Sequence, residues 1–434
     1  MAISPPKMLG PSTSSRRTSI PVARPRSARS TGSSPMASTS HSVSGEGPAV
    51  VVCGAGAAGI STAIAAARAG GRVCLVESNP SIGGTVAGAL IHTLAGFYDS
   101  SGEALNDGIA FELLERLLAA GAWRRRMGRV WVLQVDPQVY QHVAQHWLAS
   151  LPNIDIQLGA RVTRVHQYGA RVRGVEIHSH EGTRQIDVRS LVDTTGGGRV
   201  VALLEPSLVD HDDTAAAGGW VFRLRNVAPD AMAFPRGIGV VRSLRDAAAS
   251  GSLPRDCAKA WVDVGLTPDE VYVKLFVPLP PSRDRTDTLA RVVRRCENDQ
   301  SQVLAHLRTL PGFRDATPHG EGGLGVRDDG RVRGEYQLTR DDVKALRKFD
   351  DVAARCAWPI EYWDREHGVV LDYLDPGEYY EIPRRSLRVA GVDNLWAAGK
   401  CLSADRYAQA SARVVGACWA MGEAAGSHAV ADGN

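Results

Sequence analysis

Apolar residues are unevenly spaced along the chain, and their spacing distinguishes short buried strands from helices. The densest apolar run, Val50-Val51-Val52-Cys53, is followed at once by a glycine-rich turn and then by an alanine-rich segment from Ile60 to Ala69. A second run, Val73-Cys74-Leu75-Val76, ends in Glu77. Continuous apolar runs of this length are typical of strands that are buried on both faces, as in a parallel sheet. The pattern therefore predicts a strand, a helix and a second strand, which together form a βαβ unit.

Further elements follow from the same two periodicities. Asp136 and Pro137 suit the N-cap and first position of a helix. Helices are predicted over 111–120, 137–148, 288–307, 339–357 and 416–428. Strands are predicted over 131–135, 154–158, 160–166, 171–178, 185–188, 190–193, 220–224, 272–276 and 394–399.

The order of these elements predicts a fold of the α/β class. A Rossmann-like nucleotide-binding domain is expected from residues 47–199 and 383–434, since both parts carry buried strands that end in glycine. The periodicity weakens between them, so residues 200–382 are interpreted as an inserted α+β domain that binds or caps the substrate. Residues 1–46 are rich in Ser, Pro, Arg and Thr and are predicted to be a disordered extension. A transit peptide and an upstream start with Met36 as the true first residue are alternative interpretations of that segment.

The glycine turn carries the clearest chemical signal. Gly54 allows a tight turn, Gly56 leaves room for a pyrophosphate beside the backbone, and Gly59 allows close packing of helix on strand. The free N–H groups at the start of the helix would then face the phosphates. Glu77 stands where a carboxylate accepts hydrogen bonds from a ribose. The alternative, an ordinary glycine turn, explains neither the second strand nor its acid. The predicted dinucleotide site consists of Gly54, Ala55, Gly56, Ala57, Ala58, Gly59 and Glu77.

Composition and charge narrow the function classes. The 434 residues are 44% hydrophobic and 22% charged, as in ordinary globular proteins. The formal net charge of +3 comes largely from arginines in the first 30 residues, so no nucleic-acid partner is expected. No apolar run reaches the roughly 18 residues of a membrane span. The seven cysteines are scattered without a CxxC pair, so neither a metal site nor a disulfide framework is expected, and the protein is predicted to be cytoplasmic.

Several motifs resemble those of a known family. Glu77 through Gly83-Gly84-Thr85 resembles the E-x(4–5)-GG-T sequence of glutathione-reductase-type flavoproteins. Asp193-Thr194-Thr195-Gly196 resembles the ATG motif of FAD proteins, without the acids that usually follow it. Asn394 to Gly426 is similar to the N-L-x-x-A-G-R-C-x-S-A-D ending of FAD-dependent oxidoreductases related to the fumarate reductase flavoprotein. Residues 88–99 and 327–339 add two further blocks that are similar to that family.

This resemblance implies a glutathione-reductase-type FAD-binding domain and FAD as the cofactor. The last strand and the helix after it would lie beside the ribityl chain and the flavin ring, and Lys400 stands where many relatives carry an aspartate. Added to the turn residues above, the cofactor-binding residues that the resemblance implies are Ser78, Gly83, Gly84, Thr85, Val162, Thr195, Gly196, Gly399, Lys400, Arg413 and Val414.

Candidate catalytic residues come mainly from the matched blocks. His92 follows the second glycine loop and is the first candidate for a base, with a purely structural histidine as the alternative. Tyr98 lies in the same segment and is alternatively a packing residue. Arg331 is a candidate for holding a substrate carboxylate, or alternatively for an ion pair between domains. Tyr380 precedes the predicted return to the FAD domain and is expected at the domain interface.

Three functions are compatible with these motifs. The first is a dehydrogenase or oxidase that transfers hydride from a small metabolite, with carboxylated and amino-acid-like compounds as candidates, to N5 of the flavin. The second is an FAD-dependent monooxygenase or halogenase, although the sequence has no W-x-W-x-I-P block and its second FAD block, at Gly196-Gly197-Gly198, lacks the D-G motif of aromatic hydroxylases. The third is a non-enzymatic electron carrier. Only one nucleotide fingerprint is visible, so the electron acceptor is left open between oxygen, a quinone and a partner protein; the oligomeric state is also open.

Overall fold

Twenty strands and ten α-helices form the part of the chain that the structure, a computed structural model, describes: residues 49–211, 216–280 and 286–432. The predicted N-terminal extension, 1–46, lies outside these described residues. In chain order the strands are β1 (Ala49–Cys53), β2 (Val73–Glu77), β3 (Thr93–Leu94), β4 (Trp123–Met127), β5 (Val130–Gln134), β6 (Ile154–Leu158), β7 (Arg161–Tyr168), β8 (Arg171–Ser179), β9 (Gly182–Asp193), β10 (Val209–Asp210), β11 (Gly218–Arg225), β12 (Trp261–Val264), β13 (Val271–Val277), β14 (Thr317–Glu321), β15 (Arg331–Val332), β16 (Val352–Cys356), β17 (Ile360–Asp364), β18 (Gly368–Asp372), β19 (Tyr380–Pro383) and β20 (Leu395–Ala397).

The structure contains the helices that the sequence predicts at 111–120, 137–148, 288–307 and 416–428, but not the one predicted at 339–357. The side chain of Asp136 accepts a hydrogen bond from the backbone N–H of Gln138, so the predicted N-cap is also confirmed. The helices are α1 (Ala57–Arg68), α2 (Gly84–Gly88), α3 (Gly108–Ala119), α4 (Pro137–Ala149), α5 (Arg199–Leu204), α6 (Arg236–Ala249), α7 (Thr286–Leu307), α8 (Arg340–Lys344), α9 (Arg406–Ala412) and α10 (Val415–Ala431).

A five-stranded parallel sheet carries the N- and C-terminal parts of the chain. Its order is β6-β2-β1-β9-β20, and every neighbouring pair in it is parallel. Strand β1 is fully buried between β2 and β9, as its continuous apolar sequence predicts. The first half of the long strand β9 leaves this sheet and pairs antiparallel with β8, which pairs with β7. The predicted βαβ unit is therefore confirmed, and it lies at the centre of the sheet.

Small residues allow two helices to pack closely beside this sheet. The Ser61 hydroxyl of α1 donates to the Trp419 carbonyl of α10 at 2.6 Å. A Cβ atom on Gly422 would fall 2.2 Å from the Ala58 carbonyl oxygen, so only glycine fits at that crossing. The Trp419 indole in turn donates to the Tyr140 hydroxyl at 3.0 Å and ties α10 to α4. These contacts join the first and last segments of the described chain in one core.

Most of the region between these segments is built around a second sheet. Its four strands are antiparallel in the order β12-β13-β11-β14. Buried apolar residues from this sheet pack with those of α6 and α7 in a separate hydrophobic cluster that runs from Trp220 to Ala316. The two hairpins β16–β19 and β17–β18 follow. The assignment of residues 200–382 as a substrate domain stays a prediction.

The predicted helix over 339–357 is wrong. Thr339 and Asp342 form a capping box that starts α8, but that helix ends at Lys344, and Leu346 has a left-handed φ of 54°. The chain then turns into β16, which pairs antiparallel with β19. This pairing buries Ala354 and Cys356, and such non-local pairing overrides the helical pattern of the local sequence.

A search of the described helices for a membrane span finds none that is both long and apolar enough to cross a bilayer.

Candidate functional site

The carboxyl ends of the parallel strands open onto a cavity of about 1340 Å³. Parallel strands all end at the same edge of their sheet, and this edge is where open α/β sheets bind ligands. The turn after β1, the acid that ends β2, the turn after β9 and the glycine after β20 all contribute to its wall. Its volume exceeds the roughly 300–1,000 Å³ of ordinary small-molecule pockets, so it has room for more than one ligand.

Two glycine loops face each other across one end of the cavity. A Cβ atom on Gly84 would lie 2.6 Å from the Cα atom of Gly56, and Gly84 has a φ of 50°, so a side chain is excluded there. A Cβ atom on Gly56, by contrast, would meet only the Gly84 Cα, at 3.7 Å. The Gly83 N–H donates to the Ala55 carbonyl at 2.8 Å and fixes the two loops together. We call these facing loops, residues 54–59 and 83–85, the glycine cradle.

Glu77 fixes the shape of the cradle from the end of β2. One carboxylate oxygen accepts from the Ala55 N–H at 2.7 Å, and the other accepts from the Asn79 N–H at 2.8 Å. Glu77 is buried but still contributes to the cavity wall. The acid that the sequence predicts at this position therefore holds the turn while it remains in reach of a ligand.

The turn after β9 is held by Asp193 in a similar way. One oxygen of Asp193 accepts from both the backbone N–H and the hydroxyl of Thr195, and the other accepts from the N–H groups of Val200 and Val201. The acid-poor sequence after Asp193 therefore still forms an ordered turn. Its Gly196 lies against Lys400, since a Cβ atom there would be 2.7 Å from the lysine Cε.

Most of the predicted cofactor-binding residues lie along this cavity. Ala55 and Gly59 do not line it, because Ala55 is fully buried and Gly59 packs against the Gly54 carbonyl. The predicted residues that line the cavity are Gly54, Gly56, Ala57, Ala58, Glu77, Ser78, Gly83, Gly84, Thr85, Val162, Thr195, Gly196, Gly399, Lys400, Arg413 and Val414.

The four predicted catalytic residues do not line the cavity. His92 is fully buried, and its ring stacks on Tyr272 with centroids 3.7 Å apart. Its Nε2 lies 3.6 Å from a carboxylate oxygen of Asp263. Burial, followed by the nearby charge of Lys274, lowers the pKa of His92 to about 4. The imidazole is therefore neutral at physiological pH and separated from the cavity.

The other three are also enclosed by protein. Tyr98 is buried beneath Arg124, and burial raises its pKa to about 12. Arg331 is buried and forms an ion pair with Asp328. The Tyr380 hydroxyl donates to the Ser411 hydroxyl at 2.8 Å in the core. The packing of Tyr98 agrees with its alternative interpretation as a packing residue, whereas the ion pair of Arg331 is local and does not link two domains.

Because the pKa of His92 is low, we expect the free energy of unfolding to depend on pH. An unfolded chain protonates this histidine near its ordinary pKa of 6.5, whereas the folded protein resists protonation down to a pKa of about 4. The free energy of unfolding should therefore fall as pH drops below 6.5, by up to about 3 kcal/mol from this residue once pH passes 4. Urea unfolding of the wild type and of His92→Asn between pH 7 and pH 4 measures this difference. Equal pH dependence in the two proteins would contradict the account.

Positive charge dominates the cavity wall. Among the described residues, the wall holds eight lysines and arginines but only two glutamates, Glu77 and Glu361. Glu77 lies at the cradle, whereas Glu361 interacts with Lys274, Arg327 and Arg413. Its two oxygens accept hydrogen bonds from the indoles of Trp358 and Trp363, at 2.8 and 2.6 Å. The wall therefore presents an excess of positive charge to a ligand.

Arg327 and Arg413 are two of the partly buried cations of this wall. The Arg327 guanidinium stacks on Trp363, 3.7 Å from the ring centroid, and donates to the Ala217 carbonyl at 2.7 Å. Burial and the charge of Arg413 lower the pKa of Arg327 to about 9, while Glu361 opposes this shift. Arg413 donates to the Glu361 carbonyl at 3.1 Å, and burial lowers its pKa as well. Two cations whose pKa values are lowered by burial, one of them also by the charge of the other, form a favourable site for an anion.

Sequence reasoning named Arg413 but missed Arg327, Glu361, Trp363 and Lys274. These residues lie on β13, on β17 and in the loop that holds Arg327, so their meeting depends on long-range packing. One signal was present: Lys274 interrupts the apolar run of β13, where a charged residue requires a partner or a cavity. Apolar side chains complete the wall, and Trp261, Val369 and Leu371 are about half exposed, so the cavity opens to solvent past an apolar rim.

Comparison with known proteins agrees with this geometry. The chain matches the family described as FAD dependent oxidoreductase over residues 49–432. The tRNA uridine 5-carboxymethylaminomethyl modification enzyme MnmG of Pelobacter propionicus is 31% identical over 206 residues, which are 42% of this chain and 31% of that enzyme. The match thus spans about a third of the length of that relative.

Solved structures show weaker likeness. A geranylgeranyl bacteriochlorophyll reductase-like protein from Thermoplasma acidophilum is 12% identical with a TM-score of 0.47, over 88% of this chain and 77% of that one. The p-nitrophenol 4-monooxygenase PnpA of Pseudomonas putida is 15% identical with a TM-score of 0.40, over 67% and 70% of the two chains. The family match covers almost every described residue, and the chain belongs to the FAD dependent oxidoreductase family.

Proposed function

We propose that this FAD-dependent oxidoreductase takes hydride from a small carboxylated metabolite that binds in the same cavity as the cofactor. The observation that carries the proposal is the excess of buried positive charge around Arg327 and Arg413, beyond what the cavity's own acids neutralise. A carboxylate is the simplest substrate group that would compensate it, through charge-assisted hydrogen bonds.

The glycine cradle fits the FAD pyrophosphate. Gly56 and Gly84 leave a gap that any Cβ atom on Gly56 would begin to fill, and α1 directs its N-terminal N–H groups toward that gap. Glu77 is placed to accept from the adenosine ribose, and Lys400 and Val414 to contact the ribityl and ring end. FAD bound in this way supplies a hydride acceptor at N5 of its ring.

The proposed substrate end lies beyond the cradle. Its wall comes largely from residues 200–382, because Lys274, Arg327, Glu361 and Trp363 all belong to that part of the chain. This supports the interpretation of residues 200–382 as a substrate domain. Arg327 and Arg413 would orient the carboxylate, and the indoles and aliphatic side chains of the wall would exclude water from the rest of the molecule.

The roles predicted for His92, Tyr98, Arg331 and Tyr380 change in this proposal. All four are buried away from the cavity, so we assign them to the support of its walls. We assign substrate binding and catalysis instead to the charged residues that line the cavity. The electron acceptor that reoxidises the cofactor stays open between oxygen, a quinone and a partner protein.

Anaerobic bleaching of the flavin absorbance tests the proposed function. The holoenzyme is mixed with 2-hydroxy acids, 2-amino acids and the primary amide of each compound. At least one carboxylate should reduce the flavin ~100-fold faster than its amide at equal low concentration, because the amide cannot neutralise the buried cations. The proposal fails if no carboxylate bleaches the flavin or if the amides do so equally well. Substrate-dependent consumption of NAD(P)H and oxygen would favour the monooxygenase class instead.

A further inference from the structure

Lys274 brings an amine into the cavity from the middle of a buried strand. Its neighbours in β13, Val273 and Leu275, are buried, whereas the Lys274 side chain lines the cavity and is 24% exposed. Its Nζ lies 3.3 Å from the Thr93 hydroxyl and 3.6 Å from an oxygen of Asp263. A strand interior fixes the position of the side chain better than a loop would.

Asp263 is a buried carboxylate with one oxygen left without a hydrogen bond. Its Oδ1 accepts from the Arg125 guanidinium at 2.9 Å and from the Val264 N–H at 3.0 Å. Its Oδ2 has no hydrogen-bond partner and lies 3.6 Å from both the Lys274 Nζ and the His92 Nε2. Lys274 lines the cavity, whereas the carboxylate of Asp263 and the neutral ring of His92 beside it do not.

The surroundings of Lys274 act on the pKa of its amine in both directions, with a net lowering. Burial lowers the pKa of Lys274, Arg125 lowers it further, and Asp263 and Glu361 oppose the shift. Asp263 itself stays ionised, because His92 and Lys274 lower its pKa despite its burial. The amine can therefore exist in its neutral, proton-accepting form at a lower pH than an exposed lysine can.

We propose that Lys274 is the proton-accepting catalytic residue of this site and that Asp263 is its positioning residue. The proposal rests on the proposed function and narrows its substrate to an acid that carries a hydroxyl or amino group on the carbon to be oxidised. Glu361 interacts with Lys274 as well as with Arg327 and Arg413, and all four residues line the same cavity, so one small molecule would meet both the arginines and the amine there.

The step balances as a two-electron oxidation. The substrate C–H bond breaks and its hydride passes to the FAD, while the O–H or N–H bond breaks and its proton passes to the Nζ of Lys274. The electron pair left on the oxygen or nitrogen forms the C=O or C=N bond of the product. The Lys274 ammonium then releases its proton to water through the open side of the cavity.

Two variants separate proton acceptance from simple charge. Lys274→Arg keeps a cation that does not give up its proton, whereas Lys274→Met removes both charge and base. Both variants should reduce the flavin at least ~100-fold more slowly than the wild type with the best carboxylate from the panel. In the wild type, the rate of flavin reduction should rise with pH as Lys274 loses its proton. This rise should be absent from both variants. In Asp263→Asn it should occur at a lower pH than in the wild type. Full rescue by Lys274→Arg would overturn the proposal, since it would assign Lys274 to charge alone.

Competitive acetylation of the holoenzyme tests the lysine without turnover. Acetic anhydride is the probe, N-α-acetyl-lysine is the internal standard, and mass spectrometry follows the peptide that contains Lys274 across a pH series. Lys274 should react with a pKa below that of the standard, and Asp263→Asn should lower it further. A pKa equal to or above the standard, or no reaction at Lys274, would overturn the proposal. This readout remains decisive even if no carboxylate reduces the flavin, an outcome that would reject the proposed function separately.

Discussion

Replacing Gly56 by valine is expected to abolish FAD binding while the apoprotein stays folded. Gly56 has a φ of −82°, which any residue adopts, and a Cβ atom there meets only the Gly84 Cα at 3.7 Å. The fold therefore has room for a Cβ atom, and the valine methyl groups beyond it would occupy the space where we place the pyrophosphate. The affinity for FAD should fall at least ~100-fold, or by about 2.8 kcal/mol of binding free energy.

Flavin content and melting temperature together measure this effect. FAD should raise the melting temperature of the wild type by mass action and leave that of Gly56→Val unchanged. Without FAD the two proteins should melt within about 2 °C of each other. Gly239→Val is the matched control, because Gly239 lies in α6 outside the cavity with no atom near its Cβ position, and it should bind FAD normally. Stoichiometric FAD in purified Gly56→Val would contradict the position given to the pyrophosphate.

Replacing Arg327 by methionine is expected to weaken substrate binding about 100-fold, or by about 2.8 kcal/mol, without loss of the cofactor. Methionine keeps an aliphatic chain over Trp363 but removes the charge that would pair with the carboxylate. The substrate amide, which makes no ion pair, should react with the variant and the wild type at similar rates. The concentration dependence of anaerobic flavin reduction measures the affinity.

Arg199→Met provides the control for this substitution. Arg199 also lines the cavity, but its side chain is 71% exposed and is paired with Asp329. Its removal should change the affinity for the carboxylate by less than about threefold, because exposed ion pairs contribute little. Equal losses of carboxylate affinity in the two variants would indicate that the summed positive charge of the cavity holds the substrate. That result would contradict a specific role for Arg327.

The fold could be predicted where it depends on residues that are close together in the sequence. The apolar runs at 50–53 and 73–76 required buried neighbours, and the residues between them left only a βαβ unit with a glycine turn. The helix over 339–357 could not be recognised as wrong from its own residues. Its second half is a strand because β19 pairs with it, and β19 lies some 25 residues further along the chain.

The two ends of the candidate site also differ in how well the local sequence predicts them. Its cradle end depends on turns whose residues are adjacent in sequence, and most residues predicted for it do lie along the cavity. Its other end depends on how β13, β17 and the loop with Arg327 meet. His92 was selected because it follows the second glycine loop, but the chain directs its ring away from the cavity and onto Tyr272. Lys274, from a distant strand, reaches the cavity instead.

The central claim is that FAD and an anionic substrate share one cavity, and titration of the holoenzyme with benzoate tests it most directly. Benzoate supplies a carboxylate on an apolar ring, and its binding beside the cofactor perturbs the flavin absorption spectrum without turnover. We predict a saturable perturbation in the wild type, none with benzamide, and at least ~100-fold weaker binding in Arg327→Met. An unperturbed spectrum in the wild type, or equal responses to benzoate and benzamide, would contradict the claim.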